Sequence, residues 1–125
     1  MTRDEPSLSP KAKVLIVDDD EDVRDALRLL FEGEFDVVGL AADGREAIEF
    51  AEICDPDVIV LDQVMPEMTG AEAAGVLRAQ HPSTRIVAFS AILDSKPEWA
   101  DAFLNKERID EVAPLIGSLL AAVTT

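Results

Sequence analysis

The sequence has few of the features that mark secreted, membrane or nucleic-acid-binding proteins. It contains one cysteine, Cys54, so no disulfide can form within the chain, and this suits a reducing cytoplasm. No apolar run approaches the roughly 18 residues that span a bilayer, and the N-terminus lacks the apolar core of a signal peptide. Basic residues are scarce, with 11 Lys and Arg against 26 Asp and Glu and a formal net charge of −15. Because such a surface repels phosphate backbones and anionic lipids, we expect no direct binding to nucleic acid or to membranes.

Length and composition predict one folded domain. The chain has 125 residues, of which 48% are hydrophobic and 30% charged, enough to bury a core but too few for two full domains. Residues 1–12 contain Pro6 and Pro10 and no apolar periodicity, which predicts a flexible N-terminal segment. The domain is predicted over residues 13–123.

Apolar runs and helical stripes alternate along this domain. The runs are solidly apolar, which is typical of parallel strands that are covered by helices on both faces. Strands are predicted at 14–17, 37–40, 58–61, 86–89 and 102–104. Helices are predicted after the N-cap residues Asp20 and Asp43, over residues 70–81, and along a final apolar stripe from Ile109 to Val123 that includes Pro114. The fold class is therefore α/β, a doubly wound sheet of about five parallel strands.

Polar residues follow four of the predicted strands. Asp18 and Asp19 follow the first, Asp62 the third, Ser90 the fourth and Lys106 the fifth. Ligands of open α/β sheets bind at the carboxyl ends of the strands, so these side chains are expected to converge. Each of these residues alone could be explained as a helix cap, a strand terminator, a turn residue or a surface charge. For the neighbouring Asp20 we favour the role of a helix cap. The combination predicts a site.

The chemistry of this combination points to phosphoryl transfer. Three clustered carboxylates need a cation, and hard oxygen ligands suit Mg²⁺. A carboxylate such as that of Asp62 can act as a nucleophile and form an aspartyl phosphate. Lys106 and Ser90 can then contact the oxygens of the phosphoryl group.

The motifs around these residues resemble those of response-regulator receiver domains. The resemblance spans about residues 13–122 and rests mainly on VLIVDDD at 14–20 and DVIVLDQVMPEMTG at 57–70, with AFSA at 88–91 and FLNK at 103–106 as weaker support. It implies a flavodoxin-like sheet of order 2-1-3-4-5. It also implies that Asp62 accepts a phosphoryl group from a sensor histidine kinase or a phosphotransfer protein.

The same resemblance implies roles for the other residues. It assigns Mg²⁺ binding to Asp18, Asp19, Asp62 and the backbone carbonyl of Val64, the switch hydroxyl to Ser90, the switch aromatic ring to Phe103, and phosphate contact to Lys106. Without the family, Phe103 would be interpreted as a core residue, and that alternative stays open. Phosphate would draw Ser90 inward and let Phe103 repack, shifting a balance between two conformations.

The sequence departs from the family pattern near Lys106. Glu107 stands where the family usually has proline, so a cis peptide is not expected there. The interval from Ser90 to Lys106 is short, so the fourth helix is predicted to be short or missing. Trp99 in this interval could fill the resulting gap or stand on the surface as a partner anchor.

A further departure concerns the residues two positions beyond Asp62 and Ser90. These residues, Val64 and Ile92, are apolar and cannot orient a hydrolytic water, which predicts slow self-dephosphorylation. Val64 also takes the place of the second acid of aspartyl phosphatases and phosphotransferases, which argues against a turnover enzyme. His81 is interpreted as a surface residue at a helix end rather than a phosphodonor.

Three functions follow in order of preference. The first is a stand-alone, chemotaxis-regulator-like phosphoacceptor that switches binding to a downstream protein, in the cytoplasm. It is expected to stand alone because no output domain follows within the sequence. The second is a pseudo-receiver that binds a partner independently of phosphorylation, and the third is the aspartyl enzyme.

Overall fold

The computed structural model describes residues 11–123, so the predicted flexible segment 1–12 lies almost wholly outside the described residues. In chain order the elements are β1 (Lys13–Val17), α1 (Glu21–Phe31), β2 (Asp36–Ala41), α2 (Gly44–Cys54), β3 (Val58–Leu61), α3 (Gly70–Gln80), β4 (Arg85–Ser90), β5 (Ala102–Asn105), a 3₁₀ helix (Lys106–Glu111) and α4 (Val112–Val123). All five predicted strands are present, and most are one or two residues longer than predicted.

The five strands form one parallel sheet of order β2-β1-β3-β4-β5, which confirms the predicted doubly wound, flavodoxin-like fold. Val17 at the end of β1 pairs with Leu61 at the end of β3. Ser90 at the end of β4 pairs with Asn105 at the end of β5. Because parallel strands end on the same side of a sheet, this register brings the residues after them to one end of the molecule.

The sheet is covered by helices on both faces. Successive strand residues point to opposite faces, so a solid apolar run supplies both cores. Leu15 and Val17 pack in the core on the side of α2 and α3, whereas Val14 and Ile16 pack against residues of α1 and α4. The strand residues of both cores are almost fully buried. None of the helices in residues 11–123 is both long and apolar enough to cross a bilayer.

The first two helices begin where their caps predict. Asp20 precedes α1 and accepts a hydrogen bond from the Asp22 amide at 2.9 Å, and Asp43 accepts one from the Glu46 amide at 2.9 Å before α2. Each side chain satisfies an amide that the helix itself leaves without a partner. The interpretation of Asp20 as a helix cap is therefore confirmed.

No helix connects β4 to β5, as the short interval predicts. The segment 91–101 is instead held by hydrogen bonds to its neighbours. The Asp101 carboxylate accepts from the Arg78 guanidinium of α3 at 3.0 Å and from the Ile86 amide at 2.8 Å. Arg78 also donates to the Trp99 carbonyl at 3.1 Å. Trp99 is half-buried and packs against the core on the α2 and α3 side, which supports the gap-filling interpretation.

The last helix begins later than the apolar stripe suggests. Residues 106–111 form a 3₁₀ helix with a kink at Arg108, and α4 starts only at Val112. Pro114 consequently lies in the first turn of α4, where a missing amide proton breaks no helical hydrogen bond. No cis peptide bond occurs in the described part of the chain, in line with the expectation for Lys106 and Glu107.

His81 was expected on the surface at a helix end; it lies at the helix end but is half-buried. It caps the C-terminus of α3, but its side chain is only 13% exposed. Its Nδ1 lies 3.6 Å from Oδ1 of Asp55, the residue that ends α2 in a left-handed conformation. The burial follows from the packing of α2 against α3, which places the two helix ends together.

Candidate functional site at the carboxyl ends of the strands

The predicted strand-end residues meet around one open cleft of about 410 Å³. The cleft lies where β1, β3, β4 and β5 end, as the sheet register requires. Its lining residues are Asp19, Asp20, Asp62, Val64, Ser90, Ala91, Ile92 and Lys106. Asp18 lies directly beneath, in contact with Lys106.

Three carboxylates cluster in this cleft. Asp18, Asp19 and Asp62 each offer an oxygen within 4.8 Å of those of the other two. Backbone hydrogen bonds continue the sheet into the cluster, because the Asp18 amide donates to the Ala41 carbonyl at 3.0 Å and the Asp62 amide donates to the Val17 carbonyl at 3.1 Å. Asp18 and Asp62 are buried and Asp19 is exposed, so solvent reaches the cluster from one side only.

Lys106 supplies the positive charge of the cluster. Its Nζ lies 2.8 Å from Asp18 Oδ2 and donates a hydrogen bond to Asp62 Oδ2 at 3.1 Å. The contact with Asp18 is an ion pair that gives this buried oxygen its counter-charge. Burial lowers the pKa of Lys106, but the two carboxylates outweigh it, and the pKa is raised above its ordinary value.

The environment of Asp62 opposes its ionisation. Burial raises its pKa, the Asp18 carboxylate raises it further, and the Lys106 ammonium only partly offsets both effects. A cation that bound beside Asp62 would reverse this balance by stabilising the carboxylate.

The donor set fits a magnesium ion. Three carboxylates face one ammonium in this cleft, which leaves two negative charges without a partner there. Mg²⁺ carries the matching charge, prefers oxygen ligands and keeps several of its waters when one or two carboxylates bind it. The exposed position of Asp19 leaves room for such waters.

The other predicted residues of the cleft differ in exposure. Ser90 is 1% exposed, and its Oγ accepts a hydrogen bond from the Ile92 amide at 3.2 Å, so the hydroxyl proton stays available to donate. Val64 and Ile92 are exposed at 53% and 62% respectively. These two apolar side chains, with Ala91, make the rim of an otherwise charged cleft.

The structure does not bring Phe103 into this cleft. Phe103 lies on β5, is half-buried against the core on the α2 and α3 side, and pairs in register with Ala88. It lines a second open cleft of about 400 Å³, formed with Leu104, Arg108, Glu111, Pro114, Leu115 and Ser118.

Two residues that support the site were missed by sequence reasoning. Arg24 of α1 donates a hydrogen bond to the Asp18 carbonyl at 2.8 Å. Gly70 at the start of α3 lies so close to the loop after Asp62 that a Cβ there would be 2.3 Å from the Asp62 carbonyl oxygen. Gly70 belongs to the 57–70 motif, but the sequence does not show that it must pack against the Asp62 carbonyl. No local sequence pattern indicates the contact of Arg24 with Asp18.

A flavodoxin-like sheet with an acidic cluster and a lysine at the ends of its strands defines a class of signalling domains. The family model described as "Response regulator receiver domain" matches residues 14–110, which is more than half of the chain. The chain belongs to the response-regulator receiver family of two-component signalling. The family is typically non-enzymatic, and its members interact with histidine kinases or phosphotransfer proteins and with downstream targets.

Curated relatives and solved structures agree with this assignment. The chain is 37% identical over 101 residues to the chemotaxis protein CheY of Listeria monocytogenes, covering 75% of this chain and 85% of that protein. It is 39% identical over 102 residues to a protein-glutamate methylesterase/protein-glutamine glutaminase of Pyrococcus horikoshii, covering 80% of this chain and 27% of that protein. A LuxR-family two-component response regulator from Aurantimonas has a TM-score of 0.81 at 29% identity, with coverage of 90% and 86% of the two chains.

Several of these relatives are much longer than this chain. The chain spans only 27% of the Pyrococcus horikoshii protein and 48% of the nitrate/nitrite response regulator NarL of Escherichia coli. The similarity therefore concerns the receiver portion of those proteins. The activities named for those longer proteins belong to the full-length proteins.

Proposed function

We propose that this chain is a phosphoacceptor in which Asp62 receives a phosphoryl group and the modified domain switches binding to a partner protein. One observation carries the proposal: the Asp62 carboxylate lies in an open cleft and shares a single lysine with a second buried carboxylate. We propose that the receiver domain that performs this function covers residues 13–123.

The transfer itself is a displacement at phosphorus. An Asp62 oxygen forms a bond to the phosphorus atom, while the bond from phosphorus to the donor's nitrogen or oxygen breaks and its electron pair leaves with the donor. Lys106, already held by Asp62 at 3.1 Å, is in place to pair with the incoming phosphoryl oxygens. Ser90 can donate its free hydroxyl proton to another of these oxygens.

The proposed metal site consists of Asp18, Asp19, Asp62 and the backbone carbonyl of Val64. When bound there, Mg²⁺ supplies positive charge that neutralises the phosphoryl oxygens during transfer. The chain contributes the arrangement, because the two buried carboxylates are held in place by the backbone hydrogen bonds at the ends of β1 and β3.

Ser90 and Phe103 are proposed to transmit the modification. A phosphoryl group on Asp62 attracts the Ser90 hydroxyl, and Phe103 lies two residues before Asn105, the strand partner of Ser90. The cleft beside Phe103 offers space into which the ring can move. Such a movement would shift the balance between two conformations of the β5 and α4 surface.

The proposed partners are proteins. A sensor histidine kinase or a phosphotransfer protein supplies the phosphoryl group, and a downstream protein recognises the modified domain. The formal net charge of −15 argues against direct contact with nucleic acid or with a membrane. The single cysteine supports a cytoplasmic location.

A phosphodonor assay tests the proposal. The chain is incubated with Mg²⁺ and acetyl phosphate, and the intact mass is measured under conditions that preserve acyl phosphates. We expect one labile phosphoryl adduct on the wild-type protein and none on Asp62→Asn, because the amide is not a nucleophile of this kind. Asp57→Asn, which changes an exposed acid at the opposite end of β3, is the matched control and should be modified normally.

The result that contradicts the proposal is a wild-type chain that binds Mg²⁺ but forms no adduct. In that case the pseudo-receiver would become the better description. An adduct of equal amount on Asp62→Asn would place the modification on another residue.

The apolar rim of the cleft predicts a long-lived adduct. Neither Val64 nor Ile92 can hydrogen-bond a water molecule in line with the phosphorus, so we expect slow self-dephosphorylation. Val64→Asn should shorten the adduct's half-life by about tenfold, because one hydrogen bond of about 1.4 kcal/mol to the attacking water corresponds to that factor. The measurement is loss of the adduct over time after the donor is removed.

A valine elsewhere provides the control for this experiment. Val76 of α3 is 36% exposed and does not line the cleft, so Val76→Asn should leave the half-life unchanged. An unchanged half-life in Val64→Asn, in Ile92→Asn and in the double variant would refute the explanation.

A further inference from the structure

Arg24 occupies a position that the proposed chemistry does not use. It lies on α1, about one turn after the N-cap Asp20, and is half-buried. Its Nη1 donates a hydrogen bond of 2.8 Å to the backbone carbonyl of Asp18. Within residues 11–123 it forms no ion pair with a carboxylate, although three carboxylates cluster nearby. The guanidinium thus binds the backbone of the acidic turn rather than its side chains.

Three hydrogen bonds hold Asp18 in the turn of residues 18–20, in addition to its ion pair with Lys106 at 2.8 Å. The Asp18 amide donates to Ala41 of β2 at 3.0 Å, and the Asp18 carboxylate accepts from the Asp20 amide at 2.9 Å. Arg24 provides the third anchor by binding the Asp18 carbonyl. Of these three hydrogen bonds, only the one from Arg24 is made to the carbonyl of the peptide between Asp18 and Asp19.

The orientation of that peptide decides where Asp19 points. Asp19 is exposed, and its side chain forms no hydrogen bond or ion pair with any other residue of 11–123, so the peptide before it is its main constraint. A charged donor makes a stronger bond to a carbonyl than a neutral donor does. A planar guanidinium on a rigid helix also loses less conformational freedom than a flexible side chain would.

We propose that Arg24 is a positioning residue that holds the Asp18–Asp19 peptide so that both carboxylates face Asp62. This proposal rests on the proposed function in one respect, since it takes the three acids to be a cation site. The role in holding the turn does not depend on that, and it can be measured in the metal-free protein.

The first experiment measures amide hydrogen exchange without metal. In Arg24→Met, which keeps an unbranched side chain but has no donor, the Asp20 amide should exchange about tenfold faster because the turn that holds it opens more often. Amides of β1, such as those of Leu15 and Ile16, should keep their wild-type rates. A purely structural role would accelerate both groups of amides together.

The second experiment measures Mg²⁺ affinity by titration calorimetry. Arg24→Met should bind Mg²⁺ about tenfold more weakly, as is typical when a group that orients metal ligands is lost. Arg24→Lys retains a charged donor and should recover most of the affinity. Arg28→Met removes an exposed positive charge from the last turn of the same helix and should bind as the wild-type protein does.

The outcomes separate this proposal from the proposed function. Wild-type exchange at Asp20 in Arg24→Met overturns the positioning role, whatever the metal affinity. Tighter Mg²⁺ binding by Arg24→Met also overturns it, since the guanidinium would then act mainly by charge repulsion. If the wild-type protein binds no Mg²⁺ while Asp20 exchange still rises in Arg24→Met, the metal site fails and the positioning of the turn stands.

Discussion

Lys106→Met is expected to slow formation of the Asp62 adduct by about 10²–10³-fold, the usual loss when one group that stabilises developing negative charge is removed. Among residues 11–123, this lysine is the one side chain that pairs with both Asp18 and Asp62, at 2.8 Å and 3.1 Å. Without it, the buried carboxylates repel each other, and the incoming phosphoryl oxygens lose their ammonium partner. Its removal also takes away the charge that lowers the pKa of Asp62, so that pKa rises further.

The rate of adduct formation with acetyl phosphate at saturating Mg²⁺ is the measurement for this variant. Lys106→Arg keeps the charge and should retain a substantial part of the rate. Lys11→Met removes an exposed lysine that precedes β1, at the end of the strand away from the cleft, and should have no effect, which controls for the change in net charge. A Lys106→Met protein that is folded by circular dichroism and modified at the wild-type rate would remove the lysine from the mechanism.

Gly70→Ala is expected to lower the free energy of unfolding by about 3 kcal/mol, at the upper end of the usual range for overpacking. The added Cβ would lie 2.3 Å from the Asp62 carbonyl oxygen and 2.9 Å from Gln63 Cα. Both are backbone atoms, so neither can move aside as the end of a flexible side chain can. The Gly70 amide also donates to the Gln63 carbonyl at 2.9 Å, so the collision would strain the loop that carries Asp62.

A second glycine of the same helix gives a control with the opposite sign. Gly75 lies in the interior of α3, and a Cβ there would meet no atom within 4 Å. Gly75→Ala should therefore stabilise the protein by about 1 kcal/mol through helix propensity alone. Urea unfolding of both variants measures the difference. Equal stability of Gly70→Ala and Gly75→Ala would show that the loop after Asp62 relaxes freely.

The strands and most helix starts were predictable because their signals are local. A solid apolar run such as 58–61 is explained by burial on both faces, and caps such as Asp20 and Asp43 satisfy amides only two or three residues away. The last helix was less predictable. Its apolar stripe continues back to Ile109, but residues 106–111 adopt a 3₁₀ helix, and α4 starts only at Val112.

The convergence of the acids and the lysine was predictable from topology, but the contacts were not. Parallel strands end together, so Asp18, Asp62 and Lys106 were expected near one another. That Lys106 pairs with both buried acids depends on distances between residues that are 44 or more positions apart in the chain. Phe103, which the family resemblance implies as the switch aromatic ring, lines a different cleft, and its switch role stays a prediction.

The sequence by itself determined the strands of the sheet, the residues at the strand ends and a fourth helix that is short or missing, whereas the strand order came from the family resemblance. The first three features depend on short-range patterns of apolar residues, caps and loop length. Only the tertiary structure decided that Arg24 holds the Asp18 carbonyl, that His81 is half-buried beside Asp55, and that Trp99 fills space near α3. Each of these is a contact between segments that are separate in the chain, and a side chain's partner there is set by how helices and strands pack rather than by its neighbours in sequence.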